Sequence, residues 1–191
     1  MAEVLWGKVN PSGKLPVTIP WNVGQVPTIY SYRPMQYSRK FVWTHTGRLY
    51  PFGYGLSYTT YAYGEPVISC TEVPAAACKV DRFGQSEDNA VLAKVDFDLS
   101  NTGTVDGVEI VQLYVRDEYA SVTRPVKELK DFKRVTLKAG ETKRVSFDIT
   151  SRMLACWGAE ERWSVEPGDF TIMVGSSSAD EDLKTVSLTV K

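Results

Sequence analysis

The sequence contains one histidine, His45, three cysteines and, in its first 64 residues, a single carboxylate, Glu3. Each shortage excludes something. A lone imidazole rules out metal centres built on histidine pairs, and no G-x-S-x-G elbow accompanies it to complete a Ser-His-Asp arrangement. Cys70, Cys78 and Cys156 form an odd set without a CxxC or a histidine at ligand spacing, so they carry no zinc-site pattern. They read as unpaired or half-buried thiols, with a Cys70–Cys78 bridge in an oxidising compartment as the alternative. No apolar run approaches the roughly 18 residues of a spanning helix. No basic stretch followed by an apolar one marks a secretory leader, and no N-x-S/T acceptor is present. A net charge of −1 leaves no electrostatic footprint for a polyanion, so neither nucleic acid nor a membrane surface is expected as a partner.

What is present is unevenly divided. Residues 1–64 hold six Lys/Arg against Glu3, whereas 65–191 hold 16 against 22 carboxylates, and 13 of the 22 aromatic residues fall in the first stretch. Two regions of different character are therefore expected, 1–64 and 65–191. The first is too short to be comfortable alone, since below about 60–70 residues a single core is marginal.

Met1 to Lys8 reads as the last turn or two of a helix, stopped at Gly7-Lys8. Asn10-Pro-Ser-Gly-Lys-Leu-Pro16 excludes helix, Val17-Thr-Ile19 is a short extended run ended by Pro20, and residues 21–49 show no sustained period. A long loop packed on a surface is expected there. In Tyr50-Pro-Phe-Gly-Tyr-Gly-Leu-Ser-Tyr58, two glycines among large rings imply close backbone approach. From Glu65 the pattern turns to short β-rich runs: Pro66–Val73, then Ala90–Leu99 with Val91, Ala93, Val95, Phe97 and Leu99 on one face. Val108–Val115 is apolar on both faces and so should be central. Val126–Leu137 is irregular enough to imply a bulge near Lys130-Asp131. Thr142–Ile149, Phe170–Val174 and Val186–Val190 follow, for about seven strands and no convincing helix. The expected fold is mostly β, an immunoglobulin-like or fibronectin type III-like sandwich.

Glycosidic hydrolysis needs two carboxyl groups facing each other across roughly 5–10 Å. The first region offers Glu3 alone. In the second, Asp96 and Asp98 alternate with apolar neighbours and should face solvent, while Glu160-Glu161 and Asp180-Glu181-Asp182 occupy polar turns. Gly53-Tyr-Gly55 lacks the context of a phosphate loop, and Lys127 to Arg134 mixes both signs as a soluble sheet face does. The rings between residues 30 and 63 could stack on sugars, but their prolines, glycines and missing period fit better with glue between this segment and another domain.

Several of these stretches, taken in order, resemble family 3 glycoside hydrolases of the β-glucosidase and β-xylosidase type. Asn10 to Pro20, Val23-Gly-Gln-Val-Pro27 and Leu49 to Thr60 look like the end of that family's second, α/β sandwich domain. Asn101-Thr-Gly103, Val111-Gln-Leu-Tyr114, Arg124-Pro-Val-Lys-Glu-Leu129 and Glu166-Pro-Gly-Asp-Phe170 resemble its C-terminal fibronectin type III-like domain. The resemblance implies a remnant of the α/β sandwich over 1–64, a complete sandwich over 65–191, and partners in the parent enzyme's N-terminal barrel and α/β domains, with an oligosaccharide as a further candidate. In bacteria the family is often periplasmic or secreted. Its nucleophile is an Asp on the barrel, and its acid/base Glu lies upstream of the Lys-Leu-Pro motif. Glu3 matches neither. No catalytic, cofactor-binding or metal-ligating residue is therefore assigned and no cofactor is expected. A C-terminal, non-catalytic portion of such an enzyme is implied, with a free-standing carbohydrate-binding or interaction module as the alternative.

Overall fold

The computed structural model describes residues 1–25, 27–34, 47–86 and 90–191. The chain opens with a single helical turn, α1 (Ala2–Leu5), stopped by Gly7 at φ 71°, where the Lys8 amide reaches back to the Glu3 carbonyl. Strands β1 (Ile19–Pro20) and β2 (Arg48–Tyr50) then pair antiparallel, with a register irregularity at Pro20, which has no amide to donate.

Two sheets follow and stack on one core. The first is built on β6 (Val91–Asn101), paired on one side with β9 (Thr142–Thr150) and on the other with β3 (Tyr61–Tyr63) and β4 (Val67–Ile68). The second runs β5 (Glu72–Val73), β13 (Leu183–Val190), β12 (Gly168–Gly175), β7 (Gly107–Asp117) and β8 (Glu128–Leu137) in that spatial order. Alternation explains the core: Val95, Phe97 and Leu99 from β6 meet Val111 and Leu113 from β7, all fully buried. Each such side chain contributes roughly 1.5–3 kcal/mol on burial.

β7 is central, and the reason its two faces both read as apolar is specific. Val111, Leu113 and Val115 face the inter-sheet core, while Gln112 and Tyr114 on the opposite face are just as buried, beneath residues of the first region. The bulge also stands where the irregular spacing put it. Leu113 pairs with Asp131 and Tyr114 with Leu129, so Lys130 is the extra residue.

Four features differ from the pattern. Pro66–Val73 is not one strand: β4 and β5 belong to different sheets, and Ser69 to Thr71 cross between them, bonded to β6 at one end and to β13 at the other. Val91 is 48% exposed rather than inward, because the register slips between Val91 and Ala93. A helical turn, α2 (Ser151–Leu154), and a small hairpin of β10 (Cys156–Trp157) with β11 (Trp163–Ser164) were not legible at two to four residues each. Finally, β3 lies on the near side of the compositional break at residue 64, yet its register partners are Leu99 to Asn101 of the sandwich. All three cysteines are free thiols. No helix among the described residues is long and apolar enough to cross a membrane.

Candidate functional site

Five of the carboxylates considered for acid/base work are engaged by neighbours. Asp96 accepts a hydrogen bond from the Ser146 hydroxyl, Asp98 pairs with Arg144 at 3.2 Å, and Glu160 with Arg162 at 2.7 Å. Asp180 takes the ammonium of Lys127, and Asp182 the hydroxyl of Ser177. Glu3 is exposed on α1. His45 lies outside the described residues.

The organised polar chemistry is instead at the seam between the first region and the sandwich. The loop around Leu15 and the glycine-rich stretch of residues 50–58 bind each other through Leu15 N–H to Tyr54 O and Gly53 N–H to Leu15 O, both 2.8 Å. Gly53 adopts φ 79°, and a Cβ there would lie 2.0 Å from Gln112 Oε1. Only glycine meets both demands. Its carbonyl accepts from Gln112 Nε2 at 3.1 Å, and the same amide nitrogen donates to Ser176 O at 2.6 Å, while the Tyr114 hydroxyl donates to Gln112 Oε1. One buried amide thus ties the first region to β7 and to the end of β12, with every polar atom satisfied.

Aromatic packing extends this contact. Tyr30 stacks on Phe52 with centroids 4.3 Å apart and meets Tyr114 edge-on at 5.8 Å. Its hydroxyl accepts from the Leu129 amide at 3.1 Å, and Tyr32 O accepts from the Val126 amide at 2.9 Å. Burial pushes the Tyr30 hydroxyl above its ordinary value and that of Tyr114 well above it, so both stay protonated and able to bond. These rings are glue.

A second lock sits at the mouth of a cleft of about 400 Å³. Glu109, 4% exposed at the inner edge of β7, accepts from Lys14 Nζ at 3.0 Å and from the Tyr63 hydroxyl at 2.8 Å. Burial, then the Glu109 charge, holds the Tyr63 hydroxyl un-ionised. Below it, Asn10 Nδ2 donates to Asp106 O at 3.0 Å and Asn10 Oδ1 accepts from Tyr58 N–H at 2.8 Å. Thr59 donates to the buried Asn101 side chain at 2.5 Å. Glu109 is matched by the ammonium of Lys14, and of the two other carboxylates that line the cleft, Glu181 and Asp182, the latter accepts from the Ser177 hydroxyl.

Sequence reasoning missed Glu109, Gln112, Asn101 and Lys127 as connectors. The available signal was a polar residue at a position flanked by apolar ones in a strand expected to be central, as with Glu109 between Val108 and Ile110. Lys127 is not on a soluble face: it is 6% exposed and donates to Ser178 O at 3.0 Å besides pairing with Asp180.

The chain matches two family models, the glycosyl hydrolase family 3 C-terminal domain over residues 1–58 and the fibronectin type III-like domain over 109–178. A β-xylosidase of Formosa agariphila is 46% identical across the whole of this chain, which covers 25% of that protein. A periplasmic β-glucosidase of Salmonella typhimurium is 39% identical over 94% of the chain and 23% of its own length. Among solved structures, a β-glucosidase of Erythrobacter marinus superposes with a TM-score of 0.86 at 37% identity, over 100% of this chain and 23% of that one. A Listeria innocua β-glucosidase in complex with glucose gives 0.79 at 32% identity, over 99% of this chain and 25% of that one. The chain spans about a quarter of the length of the curated relatives it matches.

Proposed function

The chain belongs to glycosyl hydrolase family 3, as a C-terminal, non-catalytic part, and from that premise we propose that it docks and supports the catalytic domains of an enzyme that hydrolyses terminal β-linked glucose or xylose by the retaining, two-carboxylate route. In this reading residues 1–64 are the C-terminal remnant of the α/β sandwich and its linker, and 65–191 are the fibronectin type III-like domain, to which the linker contributes β3. No residue of the chain serves as nucleophile, acid/base, cofactor ligand or metal ligand. Its partners are the N-terminal barrel and the rest of the α/β domain.

One observation carries the proposal. The first region is keyed to the sandwich by Gly53–Gln112 and Lys14–Glu109, yet leaves Leu5, Trp6, Val17, Trp21 and Val23 exposed. A segment fixed this firmly on one side and apolar on the other is a connector with one joint made. The test is to assay the purified 191-residue chain on aryl β-glucosides and β-xylosides. No turnover is expected, and activity that co-purifies with the chain through successive columns would sink the proposal.

A further inference from the structure

Three long strands stand at sheet edges. β8 is bent by its bulge at Lys130, and β13 is covered over Thr189–Val190 by β5, whereas β9 runs regular from Thr142 to Ile149 and pairs with β6 alone among the described strands. Its outer edge lies across β6 from β3, the strand that the first region contributes. Parity shows which groups that edge presents. The Asn101 amide donates to Glu141 O at 2.9 Å, which makes the 101–141 pair, and with it 99–143, 97–145 and 95–147, the hydrogen-bonded ones. Arg144, Ser146 and Asp148 fall in the alternate pairs and turn their backbone N–H and C=O outward. Such a row is a template for another strand.

The strand is complementary to its own reverse. Turned about Ser146, Arg144 falls opposite Asp148 and Thr142 opposite Thr150, while Val145 meets Phe147 on the buried face. Solvent-facing and core-facing side chains thus stay on their own faces across the junction, which a one-residue slip would not allow. The charges also continue a row already present. Arg144 bonds Asp98 at 3.2 Å and Asp148 approaches Lys94 at 3.6 Å, so two copies would align Asp98 and Arg144 with Asp148 and Lys94 of the second copy, in alternating sign. One group stands in the way. Lys133 reaches over from β8 to donate its ammonium to Ser146 O at 2.5 Å, 5.1 Å from the centre of the Phe147 ring. It caps the carbonyl at the middle of the junction, where two such ammoniums would face each other. We propose that β9 is a self-association site: two copies add β9 to β9, antiparallel about a two-fold axis at Ser146, to make one continuous sheet, and Lys133 is the cap that restrains them.

This site is independent of the docking role, and the test keeps it apart from the exposed apolar side chains of the first region. Sedimentation velocity is run on the 191-residue chain and its variants over roughly 5–500 μM. Lys133→Met should dimerise at a concentration about tenfold lower than the unaltered chain. Arg144→Asp, at an exposed side chain, sets like charges across the junction and should abolish the dimer of Lys133→Met when combined with it. Ser146→Cys should form a disulfide between copies under mild oxidation, because the axis sets that residue opposite itself, and Arg144→Cys, opposite Asp148, should not. Three results would overturn the proposal: Lys133→Met monomeric over the whole range; Ser146→Cys and Arg144→Cys cross-linking at equal rates; or association that survives Arg144→Asp and disappears with Trp6→Ser, which would put the contact on the first region.

Discussion

The two regions of the molecule are equally rich in apolar residues to the eye, but they use them in opposite ways. The sandwich buries its large side chains completely: Phe97, Phe147 and Leu99 have no exposure. Residues 1–58 bury no hydrophobic side chain to that degree among the described residues, and contribute twelve of the twenty exposed large hydrophobic residues. Their fixed points are polar or backbone groups at Gly53, Asn10 and Lys14, beside the half-buried stack of Tyr30 and Phe52 on Tyr114. Apolar burial makes a fold stand by itself, whereas a hydrogen-bonded lock positions one body on another while adding only about 1 kcal/mol net per bond. The sandwich is a foundation and the first region a fitting attached to it.

The comparison breaks hardest in the core. Phe97→Ala should cost about 3–5 kcal/mol, read as a shift of the urea midpoint, and both regions should unfold in the same transition because the first rides on the second. Separate transitions would show that the first region holds itself together. Gly53→Ala comes next, at about 2–3 kcal/mol, combining a left-handed backbone with displacement of Gln112 from its bonds. Its effect should be local, seen as faster hydrogen exchange at residues 13–15 and 53–55 while β6 stays protected. Glu109→Ala should cost about 1–3 kcal/mol, since it leaves the half-buried Lys14 and Tyr63 without their acceptor, and Lys14→Met made with it should recover part of the loss.

Smaller still is a pH effect confined to the sandwich. The Ser121 hydroxyl first, and its backbone amide second, hold the Glu166 carboxyl below its ordinary value of 4.5. Stability from this group is complete above that value and is lost as pH falls through the lowered one. Glu166→Gln should thus lower Tm slightly at pH 7 and make no difference in strong acid; a difference that grows on acidification would reverse the assignment. Trp6→Ser, at a side chain 82% exposed, should change stability by less than about 0.5 kcal/mol while reducing aggregation in light scattering.

Legibility followed the same division. Strands β6, β7 and β9 could be read because eight or more residues of regular pattern leave little ambiguity, β12 and β13 were legible only over their five-residue cores Phe170–Val174 and Val186–Val190, and the spacing around Lys130 located the bulge. β4, β5, β10 and β11 are two residues long and carry no period at all. At the seam, the glycines among aromatic rings announced a close approach but not its target. Gln112 lies 59 residues from Gly53, and Glu109 lies 95 from Lys14. Such pairings follow from the assembled sheets, and an isolated carboxylate between Val108 and Ile110 looks the same in sequence whether it faces water or a lysine.

The pairing of Tyr61–Tyr63 with Leu99–Asn101, anchored by Thr59 on Asn101, has a consequence for inheritance. A crossover between genes that fell after codon 64 would deliver a sandwich whose β6 ends on a bare edge, open to pairing with a stranger chain. One that fell before codon 59 would carry the closing strand along with its domain. The exchangeable unit in this molecule begins at Thr59, inside the stretch whose composition belongs to its neighbour.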